Sequence, residues 1–131
     1  MANPNIVAVT SILGETTYLT PSATSSVILL PNAASSGKVY KVNQIVAANV
    51  DGSSAVNVSV DIYTDGSVAQ GSASSGGTAY PIVSTVSVPA DASLIVADKT
   101  TAIYLMENTS IAVTSGTASK ITYTISYEII S

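Results

Sequence analysis

Residues 120–129 read KITYTISYEI, and their alternation decides the fold class. Ile121, Tyr123, Ile125, Tyr127 and Ile129 fall on one side of an extended chain, with Thr122, Thr124, Ser126 and Glu128 on the other, because successive side chains of a strand point to opposite faces. A period of two, with β-branched and aromatic residues on the apolar side, is the signature of a half-buried strand. Residues 55–64, AVNVSVDIYT, repeat it: Val56, Val58, Val60 and Ile62 alternate with Asn57, Ser59, Asp61 and Tyr63. Upstream, Tyr40, Val42, Val46, Ala48 and Val50 share a face interrupted only by Gln44. Asp51-Gly52-Ser53-Ser54 is then expected to turn this strand into the next as a β-hairpin. The expected core includes Val42, Val46, Val56, Val58, Val60, Ile62, Ile121, Tyr123 and Ile125.

Weaker strands fit residues 5–12, 16–19, 25–30, 80–88, 93–97, 102–106 and 110–114. Turn chemistry separates them at Gly14, Pro21, Pro31 to Gly37, Pro89 to Asp91, Asp98-Lys99, Glu107-Asn108 and Ser115-Gly116. No window sustains a 3.6-residue period, and β-branched residues dominate, which disfavours helix. The sequence therefore predicts an all-β fold, a single antiparallel β-sandwich domain over residues 1–131, jelly-roll-like or Ig-like, with about eight to ten short strands. Antiparallel pairing follows from the alternation, since strands of a parallel sheet covered on both sides are apolar throughout. Residues 65–78, DGSVAQGSASSGGT, hold too few apolar side chains to anchor themselves and are expected to form an exposed, mobile loop. The N-terminal arm, about residues 1–5, is too polar and short to join a core. Its Ala2, Asn3, Pro4 and Asn5 are the candidate interface residues, expected to reach a neighbouring molecule.

Composition narrows the function. Among 131 residues there are four Lys, no Arg, eight Asp and Glu, no His and no Cys. Without His or Cys the commonest nucleophiles, general bases and metal ligands are missing, so no enzyme, no catalytic residue, no metal and no cofactor are expected. Without a basic stripe, nucleic acid is not an expected partner. No apolar run approaches the roughly 18–20 residues of a membrane span, and no basic segment leads into an apolar stretch of a secretory signal. A soluble chain made in the cytoplasm is expected. Only 9% of residues are charged, against roughly 25% in an average domain. A neutral, hydroxyl-rich surface suits a chain packed against copies or neighbours, and a homo-oligomer is expected.

Short motifs add no chemistry. Ser35 and Lys38 have the S-x-x-K spacing, but in a Gly-containing turn rather than a helix, and without the companion motifs. Gly37-Lys38 fails as a phosphate loop, since Asn32 holds the leading glycine position and Val39 follows the lysine. Asp61, Asp65 and Gly66 match part of a calcium loop, but the third position is Tyr63 and the twelfth is Ser72. Sequons at Asn57 and Asn108 carry little meaning without a secretory signal. Tyr123 and Tyr127 lie on the apolar stripe and are expected to be packed.

The C-terminal two-thirds, SSGKVYKVNQIVAANVDGSSAVNVSVDIY and then VSVPADASLIVADKTTAIYLMENTSIAVTSGTASKITYTISYEIIS, resembles small virion structural proteins of tailed phages of cyanobacteria and other marine bacteria. Strand-and-turn phrases such as Val88-Pro89-Ala90-Asp91-Ala92 and Ser126-Tyr127-Glu128 carry the resemblance. It implies a non-enzymatic, β-rich particle component located in the virion. Its partners would be the major capsid protein or other virion proteins. A decoration or cement protein outside the capsid shell is the first expectation, a tail, neck or baseplate component the second, and a carbohydrate-binding or adhesin-type module the third.

Overall fold

The computed structural model describes residues 10–131, so Ala2, Asn3, Pro4 and Asn5, and most of the strand expected over 5–12, lie outside the described residues. Nine strands follow in order: β1 (Ile12–Leu19), β2 (Val27–Asn32), β3 (Val39–Asn49), β4 (Val56–Tyr63), β5 (Ala79–Val88), β6 (Ser93–Ala97), β7 (Ile103–Leu105), β8 (Thr109–Ser115) and β9 (Ile121–Ile130). One 3-10 turn, Lys99–Thr101, separates β6 from β7.

The pairing is nested and antiparallel throughout. β4 pairs with β5, β3 with β6 and β7, β2 with β8, and β1 with β9. This one long folded ribbon rolls up, so that β9 also meets β3 and β8 also meets β4. Two sheets result: a five-stranded one in the order β1-β9-β3-β6 with β7 also on β3, and a four-stranded one in the order β2-β8-β4-β5. With β6 and β7 taken as halves of one interrupted strand, this is the strand order of a jelly roll, one of the two sandwich types expected. The inner faces meet in one core, with Val42, Ile45, Ile121, Tyr123 and Ile125 from one sheet against Leu29, Val58, Val60, Ile111 and Val113 from the other. Tyr123 donates its hydroxyl to the Thr114 carbonyl at 2.9 Å, which satisfies the polar tip of the largest fully buried side chain.

Four expectations need correction. The β3 and β4 strands do not form a hairpin, because both sides of β3 are already filled by β9 and by β6 with β7. Residues 50–55 instead arch from one sheet to the other. Asn49, only 3% exposed, holds this corner. Its Nδ2 donates to the carbonyls of Ser54, Val88 and Pro89, and its Oδ1 accepts from Asp51 N. Second, a bulge between Val42 and Gln44 shifts the phase of β3. An extra residue in one strand flips every later side chain to the other face. Ile45, Ala47 and Asn49 therefore turn inward, while Val46, Ala48 and Val50 turn outward. Third, Gly14 is no turn: it sits inside β1 opposite Glu128. Fourth, residues 65–78 are largely exposed as expected, but they are anchored to the sandwich, through Val68 and backbone bonds. Ile62 is only half-buried, though it packs against the core as expected.

Candidate functional site

The two outer faces of the sandwich are built differently. On the four-stranded sheet, Ile28, Tyr63 and Ala112 face away from the main core and are nonetheless buried. Residues 65–78 cover them, with Val68 packed against this cluster. The loop has one large apolar side chain and uses its backbone for the rest. Gly71 N donates to Ile28 O at 2.8 Å, Ile28 N to Ser72 O at 3.0 Å, and Ser74 N to Ser26 O at 3.1 Å. Gly77 N donates to the Tyr63 hydroxyl at 2.8 Å, Gly66 N to Asn108 Oδ1 at 3.3 Å, and Ser110 Oγ to Asp65 O at 2.8 Å. At Gly66 a Cβ would lie 2.0 Å from the Asn32 carbonyl oxygen, so only glycine lets the loop lie this close.

On the five-stranded sheet the outer face is open over most of its area, although Val39 and Ile130, in the row of Ile12, are buried at one corner. Register places Tyr18, Thr124, Val46 and Ile95 in one row across β1, β9, β3 and β6. A second row runs Gly14, Glu128, Lys41 and Tyr104 across β1, β9, β3 and β7. Tyr18 is 72% exposed, Ile95 60%, Ile12 58% and Tyr104 51%. Between them, Thr16 and Ser126 share a hydrogen bond of 2.9 Å, and Thr20 and Thr122 one of 2.8 Å. Lys41 and Glu128 are cross-strand neighbours of opposite sign, so the face is close to neutral. Such a surface binds by apolar burial and hydroxyl hydrogen bonds rather than by charge.

Beside it, the β3 bulge and the 3-10 turn enclose a groove of about 500 Å³ lined by Asn43, Gln44, Asp98, Lys99, Thr100 and Ser126. Asn43 Nδ2 donates to Glu128 Oε1 at 3.2 Å. Asp98 closes a capping box: its carboxylate accepts from Thr100 N at 2.9 Å and from the Thr100 hydroxyl, while Thr101 Oγ1 accepts from Asp98 N at 3.1 Å. These bonds hold the Asp98 carboxyl below the usual carboxylate range. The groove offers polar partners of both signs, with Asp98 Oδ1 already engaged by its own turn.

The residues singled out from sequence scatter. Ser35 lies in an exposed loop at φ 61°. Lys38 is exposed too, and its backbone N donates to Ser36 Oγ. Asp61 is 8% exposed on the loop-covered side, and burial pushes its carboxyl up, whereas Asp65 Oδ1 accepts from the Ser67 hydroxyl at 2.6 Å and from Ser67 N at 2.7 Å in its own turn, which together pull its carboxyl down. No three acidic side chains gather as a metal site among the described residues, and no helix there is long and apolar enough to cross a membrane. Sequence reasoning missed the open face because the β3 phase was misplaced. Gln44, the polar break in the apolar series, was the visible sign of the shift. Neither a known protein family nor a curated protein matches the chain.

Proposed function

We propose that the protein is a non-enzymatic structural component of a phage virion, and specifically a decoration or cement protein bound outside the capsid shell. The observation that carries the reading is the open outer face of the five-stranded sheet, broad, nearly neutral, and set with Tyr18, Ile95, Ile12 and Tyr104. An exposed face that sets large apolar side chains among hydroxyls, with little net charge, suits protein association. The jelly roll is compatible with it, being a frequent architecture of capsid proteins as well as of lectins, although a fold alone assigns no function. The resemblance of the sequence to virion structural proteins supplies the phage setting.

Locating the protein on purified particles tests this. Many copies spread over the shell are expected. Confinement to rings at the neck or tail selects a tail, neck or baseplate component instead, and absence from particles removes the reading. The groove beside Asn43, lined by amide, hydroxyl and charged side chains, favours a second reading, a carbohydrate-binding module. A glycan array separates the two, since a virion component of the proposed kind gives no saturable sugar signal.

A further inference from the structure

A jelly roll has four sheet edges, and this chain blocks three of them. Residues 71–74 lie along β2, with an isolated bridge between Ala73 and Val27 and backbone bonds to Ser26 and Ile28. Strand β5 carries Pro81, two register shifts against β4, and Thr85 at φ 53°, all devices that spoil an edge for pairing. The fourth strand position of the open sheet is split into five-residue β6 and three-residue β7 by the 3-10 turn, so it presents no continuous edge. Strand β1 is different. It runs eight residues, ILGETTYL, with no Pro, no Lys and a single charge, Glu15, and no partner strand lies on its outer side among the described residues.

The phase of that edge is fixed. Ser11 and Ser131 exchange both backbone bonds, Ser11 N to Ser131 O and Ser131 N to Ser11 O, each at 3.0 Å. The register is unbroken from Ile12 opposite Ile130 to Leu19 opposite Tyr123. Antiparallel ladders alternate, so residues 13, 15, 17 and 19 bond to β9, while Ile12, Gly14, Thr16 and Tyr18 aim their N–H and C=O groups at the free side. Gln70 Nε2 reaches the Tyr18 carbonyl by a long bond of 3.4 Å while donating to Thr17 Oγ1 at 2.9 Å, which agrees with this phase; pairing at this end of the edge displaces the longer bond and can keep the shorter.

We infer that β1 is a dimerisation edge, and that its partner is β1 of a second copy, paired antiparallel about a two-fold axis at Glu15. The apolar residues are placed symmetrically about that point. Self-pairing sets Ile12 of one copy opposite Tyr18 of the other, twice, on the open face, and Leu13 opposite Thr17 beneath. Aromatic and β-branched partners directly across strands are favourable pairs. An antiparallel edge paired with itself is isologous and closes after two copies. The fold has no use of its own for a glycine at position 14, where a Cβ would meet nothing within 4 Å. A glycine inside a strand also marks the close approach of another backbone, here the Thr16 segment of the partner copy. The one unfavourable element is Glu15 facing Glu15, a like-charge pair. This inference deepens the assembly reading and rests on it for biological meaning, but its test uses the isolated protein.

Sedimentation of the purified chain over a wide concentration range is expected to show a monomer–dimer equilibrium. Thr16→Pro removes an N–H that the monomer does not use in its own ladder, and should abolish the dimer while circular dichroism and the melting transition keep a folded monomer. The double variant Ile12→Lys with Tyr18→Lys, at two exposed positions, should do the same and serves where the proline variant fails to fold. Glu15→Gln should tighten association about twofold to fivefold by removing the like-charge pair. A chain that stays monomeric at its highest soluble concentration, a dimer that survives the edge substitutions, or weaker association of Glu15→Gln overturns the inference. None of these outcomes touches the virion reading, which stands or falls on location in particles. A monomer whose particle occupancy nevertheless drops with Thr16→Pro assigns the edge to a different protein, against a second copy.

Discussion

The two outer faces of this sandwich start from similar strands and end in opposite states. On the four-stranded sheet, Tyr63, Ile28 and Ala112 are buried by a loop whose only large apolar residue is Val68. On the five-stranded sheet, Tyr18 and Ile95 stand in the same kind of position with nothing over them among the described residues. The cover is made from glycine and serine, which let backbone bonds and close approach do what side chains do elsewhere. The difference teaches that exposed apolar surface here is selective: the chain spends fourteen residues, 65–78, hiding one face and leaves Tyr18, Ile95, Ile12 and Tyr104 exposed on the other. That asymmetry is what an assembly surface requires.

The largest expected effect separates the two faces directly. Tyr63→Ala should cost about 3–5 kcal/mol, the range for deleting a buried aromatic ring, and it also orphans Gly77 N, which now donates to the Tyr63 hydroxyl. Tyr18→Ala on the open face should change stability by no more than about 0.5 kcal/mol. Equilibrium unfolding in urea measures both. Equal costs would mean that the open face is held by contacts as the covered one is, and the comparison would fail.

Alkaline unfolding sharpens it next. Tyr123 and Tyr127 both lie on β9, in the middle of the open sheet. Burial pushes the Tyr123 hydroxyl up to about 12, against a smaller opposing effect of the Ser115 hydrogen bond. Tyr127 is likewise pushed up to about 12, first by burial and then by the nearby Glu15 carboxylate, to which its hydroxyl donates at 3.2 Å. An unfolded tyrosine ionises near 10, so between about pH 10 and about pH 12 the unfolded state has lost more protons than the folded one. Through these two groups, stability should be flat from neutral pH up to about pH 10 and fall through that window as pH rises. Tyr123→Phe should lower stability at neutral pH by about 1 kcal/mol, through the lost bond to the Thr114 carbonyl, and make the alkaline fall shallower. A fall of unchanged depth would place the titrating group elsewhere.

Much of the sandwich was legible in the sequence, and what was not has a common cause. Alternation places β4 and β9 nearly to the residue, since each has one face in the core and one face polar. The β3 phase was not legible because Ile45 and Val46 are adjacent and both apolar. Either satisfies a period of two, and the choice is made by a backbone bulge that composition does not record. In sequence the Asp51-Gly52 turn predicts a hairpin, yet its local chemistry, with Asp51 Oδ1 accepting from Ser53 N and Ser54 N, serves an arch between sheets equally well. What distinguishes the two is whether the flanks of β3 are already occupied, a fact set by β6, β7 and β9. The anchoring of residues 65–78 was hidden for a similar reason: it rests on main-chain donors, which every sequence has. Of the candidate site, the neutral, hydroxyl-rich character was legible and its location was not.

A smaller effect probes the cover itself. Val68 is half-buried against Ile28, Tyr63 and Ala112, so Val68→Ala should cost about 1 kcal/mol from the apolar area returned to water. The loss should concentrate in the loop. Hydrogen exchange at the Gly71 and Ile28 amides, which bond across this seam, should quicken more than exchange in β9. Uniform quickening would show that the loop and the sandwich open together, and that the cover is integral to the fold rather than laid over it.

The smallest expected effect is that of salt, and its smallness is the content of the prediction. The open face carries Lys41 and Glu128 as cross-strand neighbours, and the whole chain has only four Lys and no Arg, so few charge pairs are available to an assembly contact. Raising ionic strength from about 0.05 M to about 0.5 M shortens the Debye length about threefold and removes most of the attraction between exposed charges. Occupancy on particles, measured by sedimentation and gel densitometry after the salt step, should be nearly unchanged. Release of the protein by salt alone would show that charge pairs hold it, and the neutral open face would then not be the surface that binds. Dimers paired through β1 should respond in the opposite sense, tightening slightly, because salt screens the facing Glu15 carboxylates.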